Sequence, residues 1–221
     1  MSVAANIARI REILAERPVK LIAVTKAASL SQIEEAWNCG VTEFGENRVQ
    51  EALKKRQALA PSLVQNSNWH FIGHLQTNKV KQVVGQFALI HSVDSLHLAQ
   101  ELSKTAAQKG IRQNVLLQVK ILPDPDKSGF TEVELKSKMA DLIALPGINI
   151  QGLMTITPIS DDPEVGRACF NGLARLKSEL EDAHGIKLSD LSMGMTNDWQ
   201  EALDCGSTMI RIGRAIFAEA S

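Results

Sequence analysis

Strand-like and helix-like segments alternate along this chain from one end to the other, and that alternation restricts the fold more than any single motif does. Short apolar runs fall at residues 21–24, 41–44, 69–72, 88–93, 114–121, 148–154, 188–192 and 209–212, which predicts eight strands. Helix signals fill the gaps. Ser29 with Gln32, Ser31 with Glu34 and Thr131 with Glu134 have capping-box spacing, which places helix starts at those hydroxyls. Gly40 closes a helix before the second strand, Asp94 or Ser95 caps one that stops at Gly110, and Pro163 opens a long one ending near Gly185. Connections of this length are too long for hairpins, so neighbouring strands are expected to run parallel. Eight βα units is the number that closes an α/β, (β/α)8 TIM barrel; a doubly wound open sheet is the alternative. No Pro/Gly/Ser-rich linker divides the chain, and its 221 residues, 44% hydrophobic, suffice for one core. Residues 1–221 therefore read as a single domain.

Charge and cysteine usage narrow the class. A formal net charge of −1 gives no electrostatic reason to expect nucleic acid. No apolar run approaches the length of a membrane span. Residues 1–17 read as an amphipathic helix with Val3, Ile7, Ile10 and Leu14 on one face and charges throughout, unlike a secretory signal. Cys39, Cys169 and Cys205 are too few and too scattered for a disulfide framework or a zinc knuckle, which fits a reducing cytoplasm. A soluble cytoplasmic protein with no metal is the expectation.

In a barrel the C-terminal ends of all strands share one mouth, where such folds carry their chemistry. Lys26 follows the first strand directly. An amine at such a position, once neutral, attacks a carbonyl carbon and forms a Schiff base; a solvated lysine at a strand end is the plainer reading. After the seventh strand, Ser192-Met193-Gly194-Met195-Thr196-Asn197 combines a glycine, hydroxyls and a helix start, which offers backbone N–H groups to an anion. Arg211-Ile212-Gly213-Arg214 leaves the eighth strand with a glycine where a phosphate can approach the backbone. Ordinary turn chemistry explains each glycine equally well; with the amine of strand one, the two turns suggest a phosphorylated carbonyl compound held at both ends. His70 and His74 are four apart without an intervening metalloprotease glutamate, and read as core or surface histidines. Glu179, Glu181 and Asp182 read as a solvated helix face.

The motifs Ala23-Val24-Thr25-Lys26, Phe44-Gly45-Glu46-Asn47-Arg48-Val49-Gln50-Glu51, Trp69 through Lys79, Gly152-Leu153-Met154, Ser192 through Asp198 and Ile210-Arg211-Ile212-Gly213 resemble, in order, the YggS/PROSC family of pyridoxal 5′-phosphate (PLP) homeostasis proteins. The likeness spans nearly the whole chain. It implies a fold-type III barrel similar to the N-terminal domain of alanine racemase, with PLP as a Schiff base on Lys26. It further implies that Ser192, Thr196, Gly213 and Arg214 hold the phosphate, within the turn that includes Met193 and Gly194, that Arg211 faces the pyridine nitrogen, and that Asn47, His74 and Met154 line the ring. Thr196 stands where many members have serine, which keeps the hydroxyl. An arginine there leaves the ring nitrogen unprotonated, because two positive charges about 3 Å apart repel strongly. A two-base racemase also needs a tyrosine from a second domain, and this sequence contains no tyrosine. The resemblance thus implies a PLP carrier with no catalytic residues, a monomer or weak dimer that supplies the cofactor to PLP-dependent apoenzymes. A weak one-base racemase or lyase, and an aldolase-like barrel with a phosphosugar substrate, are the alternatives.

Overall fold

Parallel pairing joins β1 (Lys20–Val24), β2 (Glu43–Glu46), β3 (Asn68–Phe71), β4 (Leu89–Val93), β5 (Gln113–Gln118), β6 (Ile148–Met154), β7 (Asp190–Ser192) and β8 (Met209–Ile212) in chain order. In this computed structural model, which describes residues 2–218, β8 pairs back onto β1 with Lys20 opposite Met209 and Ile22 opposite Arg211, closing the barrel. Met1 of the expected first helix and residues 219–221 of the expected domain span lie outside the described residues.

The two-residue period of a strand sorts its side chains into two cores. Ile22, Leu89, Leu116, Met154 and Met209 point inward and pack as a small apolar cluster. Ala23, Phe44, Phe71, Ile90, Leu117 and Leu153 point outward into the larger core beneath the helices. Those helices are α1 (Val3–Leu14), α2 (Leu30–Asn38), α3 (Val49–Ala58), α4 (Pro61–Gln65), α5 (Val80–Val83), α6 (Leu96–Gln108), α7 (Glu132–Ile143), α8 (Pro163–His184), α9 (Trp199–Asp204) and α10 (Arg214–Phe217). Among the described residues no helix is long and apolar enough to cross a membrane.

Local chemistry explains most boundaries. Ser29 and Gln32 form a reciprocal capping box on α2, as do Thr131 and Glu134 on α7. Ser95, and not Asp94, caps α6. Asp162 caps α8, Pro163 takes its first position, and Gly185 ends it in the left-handed conformation. α8 buries Phe170, Leu173, Leu176 and Leu180 against the barrel, and burying one such side chain contributes about 1.5–3 kcal/mol. Several elements differ from the sequence expectation: β5 ends at Gln118 and not at Ile121, and β7 starts at Asp190 and not at Leu188. The helix after β2, expected to reach about Leu59, ends at Ala58, but Pro61, which disfavours helical backbone at Ala60, starts a separate α4 that was not expected. β3 is followed only by a 3₁₀ turn (Thr77–Lys79) and the single turn of α5, where a full helix was expected. β2 begins two residues late and extends through Glu46, since Gly45 pairs with His70 and Glu46 with Phe71.

Candidate functional site

The mouth is assembled from the strand ends in register. Val24 pairs with Gly45, and Lys26 follows two residues later in the turn that leaves β1, as Asn47 follows β2. Lys26 is exposed and Asn47 is half-buried. The Asn47 Oδ1 atom is buried and has no hydrogen-bond partner among the described residues, which leaves it an unused acceptor. Asn47 also fixes the next loop, because its carbonyl lies where a side chain on Gly73 would stand: a Cβ there would meet the Asn47 oxygen at 2.1 Å. Beneath Lys26, Thr25 Oγ1 donates to Glu46 Oε1 at 2.6 Å, and Lys55 Nζ on α3 donates to the same oxygen at 2.7 Å. That ion pair locks the ends of β1 and β2 together.

On the neighbouring strand, Arg211 is buried inside the barrel on β8, paired with Ile22 of β1. Its Nη1 donates to Ser192 Oγ at 2.6 Å and its Nη2 to the Thr155 carbonyl at 2.9 Å. Burial lowers its pKa to about 10, against the charge of Asp198, which pulls the other way. At neutral pH the guanidinium therefore keeps its proton. Ser192 is itself fully buried and also bonds His91 Nδ1 at 2.8 Å, so the structure engages its hydroxyl with Arg211 and His91. The turn that follows is shaped by Gly194, at φ +93°, where a Cβ would meet Ala202 at 2.7 Å and Trp199 at 2.9 Å. Asp198 pins this turn, accepting from Met195 N and from Thr157 Oγ1, both at 2.6 Å. Among the described residues the backbone N–H groups of Thr196, Asn197, Arg214 and Ala215 have no acceptor, the condition of a turn open to an anion. Met193 is buried behind the turn, Arg214 is exposed beside it, and a Cβ on Gly213 would meet the Val24 carbonyl at 3.2 Å.

Met154 is buried in the floor of the mouth. His74 stands on the rim, with Nδ1 3.2 Å from Asp94 Oδ2 and 3.3 Å from Ser128 Oγ, which ties together the loops after β3, β4 and β5. Sequence reasoning brought Lys26, Asn47, His74, Met154, Arg211 and the two turns to one face, and they do converge there. It missed Asp198 as the pin of the anion turn, the Glu46–Lys55 pair, and the polar side chains inside the barrel. Glu43, His70 and His91 sit at inward strand positions, and polar residues at positions whose parity faces a core are the signal that would have found them. Among the described residues no cluster of potential metal ligands occurs.

The donor set suits a phosphorylated carbonyl compound: one amine, one buried cation and two turns with free N–H groups. Comparison with known proteins points the same way. The family described as "Alanine racemase, N-terminal domain" matches residues 1–220. A pyridoxal phosphate homeostasis protein of Synechocystis is 43% identical over 94% of this chain and 95% of its own. One from Aquifex aeolicus is 41% identical over 92% and 88%. PipY of Synechococcus elongatus, solved with PLP bound, superposes with a TM-score of 0.92 at 37% identity, covering 98% of this chain and 100% of that one. Alanine racemase of Clostridium difficile, 19% identical with a TM-score of 0.79 over 99% of this chain and 57% of its own, shares the fold. The chain belongs to the pyridoxal phosphate homeostasis proteins, within the wider family of alanine racemase N-terminal domains.

Proposed function

We propose that this protein binds PLP in the barrel mouth, covalently through Lys26, and serves intracellular PLP homeostasis and cofactor supply with little or no turnover of its own. The observation that carries the reading is the convergence on one mouth of a lysine at the end of β1, a buried protonated arginine on the adjacent β8 and two turns with unpaired N–H groups. When bound, PLP supplies an aldehyde that an amine can capture and a ring able to withdraw electrons. Everything else is this chain's own work. Lys26 offers the amine, Thr196, Gly213 and Arg214 offer donors to the phosphate, and Ser192, Met193 and Gly194 build the turn that presents them. Asn47 and His74 flank the ring, and Met154 lies beneath it. Arg211 keeps its proton at the guanidinium and opposes protonation of whatever nitrogen faces it, which holds back carbanion chemistry. The sequence has no tyrosine to act as a second base, which supports low turnover. In this reading the protein is a cytoplasmic monomer that releases PLP to apoenzymes.

The test is an absorption spectrum with peptide mapping after borohydride reduction. A near-visible band that reduction fixes on Lys26, and that Lys26→Ala abolishes, is expected. A protein that gains no band on titration with PLP overturns the reading.

A further inference from the structure

A hydrogen-bonded chain of side chains runs through the barrel from floor to mouth. At the floor, Asn68 Nδ2 donates to Glu43 Oε1 at 2.8 Å, and Glu43 Oε2 lies 2.6 Å from His70 Nε2. His70 Nδ1 lies 2.9 Å from His91 Nε2, and His91 Nδ1 lies 2.8 Å from Ser192 Oγ, which accepts from Arg211. His70 and His91 are both buried. Glu43 lines a 430 Å³ cleft at the floor with Lys20 and Arg17.

With both imidazoles neutral, the two ends fix the direction of every link. A guanidinium can only donate, and an ionised carboxylate can only accept. A neutral imidazole donates through one nitrogen and accepts through the other. One arrangement then satisfies all atoms: Ser192 O–H donates to His91 Nδ1, His91 Nε2–H to His70 Nδ1, and His70 Nε2–H to Glu43. The surroundings agree. Burial, with the positive charges of Arg211 and Lys20, pushes His91 well below the usual histidine value, so it stays neutral. At Glu43 burial favours the acid, but hydrogen bonds from His70 and Asn68 and the charge of Lys20 outweigh it and hold the carboxyl low. Asp190 on β7 and Asp198 beside Arg211 are further charged groups around this assembly, the Asp190 carboxyl raised by burial.

The single hydroxyl proton of Ser192 is therefore spent on His91, and a fully buried oxygen that already accepts from Arg211 has no donor left for a ligand. We infer that Ser192 is a positioning residue for the Arg211 guanidinium, held by a one-way relay of Glu43, His70 and His91, and is not a ligand to the phosphate. This rests on the PLP reading above for its consequence, though not for its geometry. The relay makes the floor of the barrel part of the site. Weakening its charged anchor loosens the group that faces the ring.

Three measurements decide it. In ¹⁵N-histidine spectra of the protein without PLP, assigned with His70→Gln and His91→Gln, both rings are expected as Nε2–H tautomers at neutral pH; an Nδ1–H tautomer at either overturns the relay. Affinities for PLP and for pyridoxal, which lacks the phosphate, separate the two roles of Ser192. Ser192→Ala is expected to weaken both ligands by the same factor, about tenfold for the loss of one charge-assisted hydrogen bond; loss confined to PLP would make Ser192 a phosphate ligand and sink the inference. Should Ser192→Ala fail to fold, Glu43→Gln at the distant floor carries the same test. There an equal loss for both ligands supports the relay, and unchanged affinities refute it. If the unaltered protein takes up neither ligand, the PLP reading fails, and the tautomers alone decide the relay.

Discussion

Lys55→Met is expected to be far more damaging than the loss of an ordinary surface lysine. Lys55 is 17% exposed and its partner Glu46 is fully buried. Glu46 Oε1 is shared by Lys55 and the Thr25 hydroxyl, and Oε2 has no partner among the described residues. Removing the ammonium leaves a buried carboxylate with one neutral donor. Breaking a buried pair from one side costs about 3–5 kcal/mol, and Lys55 also loses its bond to the Thr25 carbonyl. The reverse change is milder. In Glu46→Gln the amide oxygen still accepts from Thr25, and the partly exposed ammonium can turn to water, so about 1–2 kcal/mol is expected. Removing both charges in Lys55→Met/Glu46→Leu should recover much of the single-mutant loss, because no uncompensated ion remains. Urea unfolding of the four proteins, compared by midpoint and slope, gives the three differences. The ordering, more than its size, is the test: a Lys55→Met cost below about 1 kcal/mol would mean that the pair behaves as a solvated surface bridge, and the account of how β1 and β2 are locked beneath Lys26 would fall.

Two further outcomes follow from other parts of the structure. Because the unfolded chain protonates His91 near its ordinary 6.5 while the folded protein keeps it neutral, stability falls as pH drops below that value, by up to about 1.4 kcal/mol per pH unit. Glu43, held low, adds a loss of the same sign further down, below its ordinary 4.5; thermal melts of His91→Gln should show a flatter dependence between these two values, and an unchanged slope would refute the neutral buried histidine. Gly194→Ala combines a left-handed backbone with a Cβ 2.7 Å from Ala202, so a loss of about 1–3 kcal/mol with weakened PLP uptake is expected, and a variant that melts and titrates like the parent would show that the turn tolerates remodelling.

The fold was legible because a parallel barrel writes itself into sequence one βα unit at a time. Each strand is buried on both sides and reads as a short apolar run, and each helix start carries a local cap such as Ser29 with Gln32 or Thr131 with Glu134. Lys26 and the turns after β7 and β8 were legible for the same reason, since a barrel brings strand ends to one face whatever their separation in sequence. The interior relay was not. Glu43, His70, His91 and Ser192 lie on four different strands, the last two 101 residues apart, and which inward positions meet depends on the stagger of the closed sheet, which no local pattern encodes. His70, read from spacing as a core or surface histidine, is in the core, and its two partners come from neighbouring strands. The short α10 and the missing helix after β3 escaped because single turns carry too few periodic residues to register.

The seam between β8 and β1 has a consequence for a chain in the course of being made. Lys20 pairs with Met209 and Ile22 with Arg211, while Asn6 in α1 reaches the Ile216 carbonyl and Gln32 the Phe217 carbonyl. The amine and the guanidinium that share the mouth thus come from opposite ends of the polypeptide. A nascent chain carries Lys26 early and Arg211 almost last, and contacts of such sequence separation are the slowest to form. An unfinished chain holds the amine without the cation or the second anion turn, so high-affinity capture begins only when the ring of strands has closed. In the proposed reading, loading would double as a check on completion, because a chain that stops short of β8 lacks the guanidinium and the second turn.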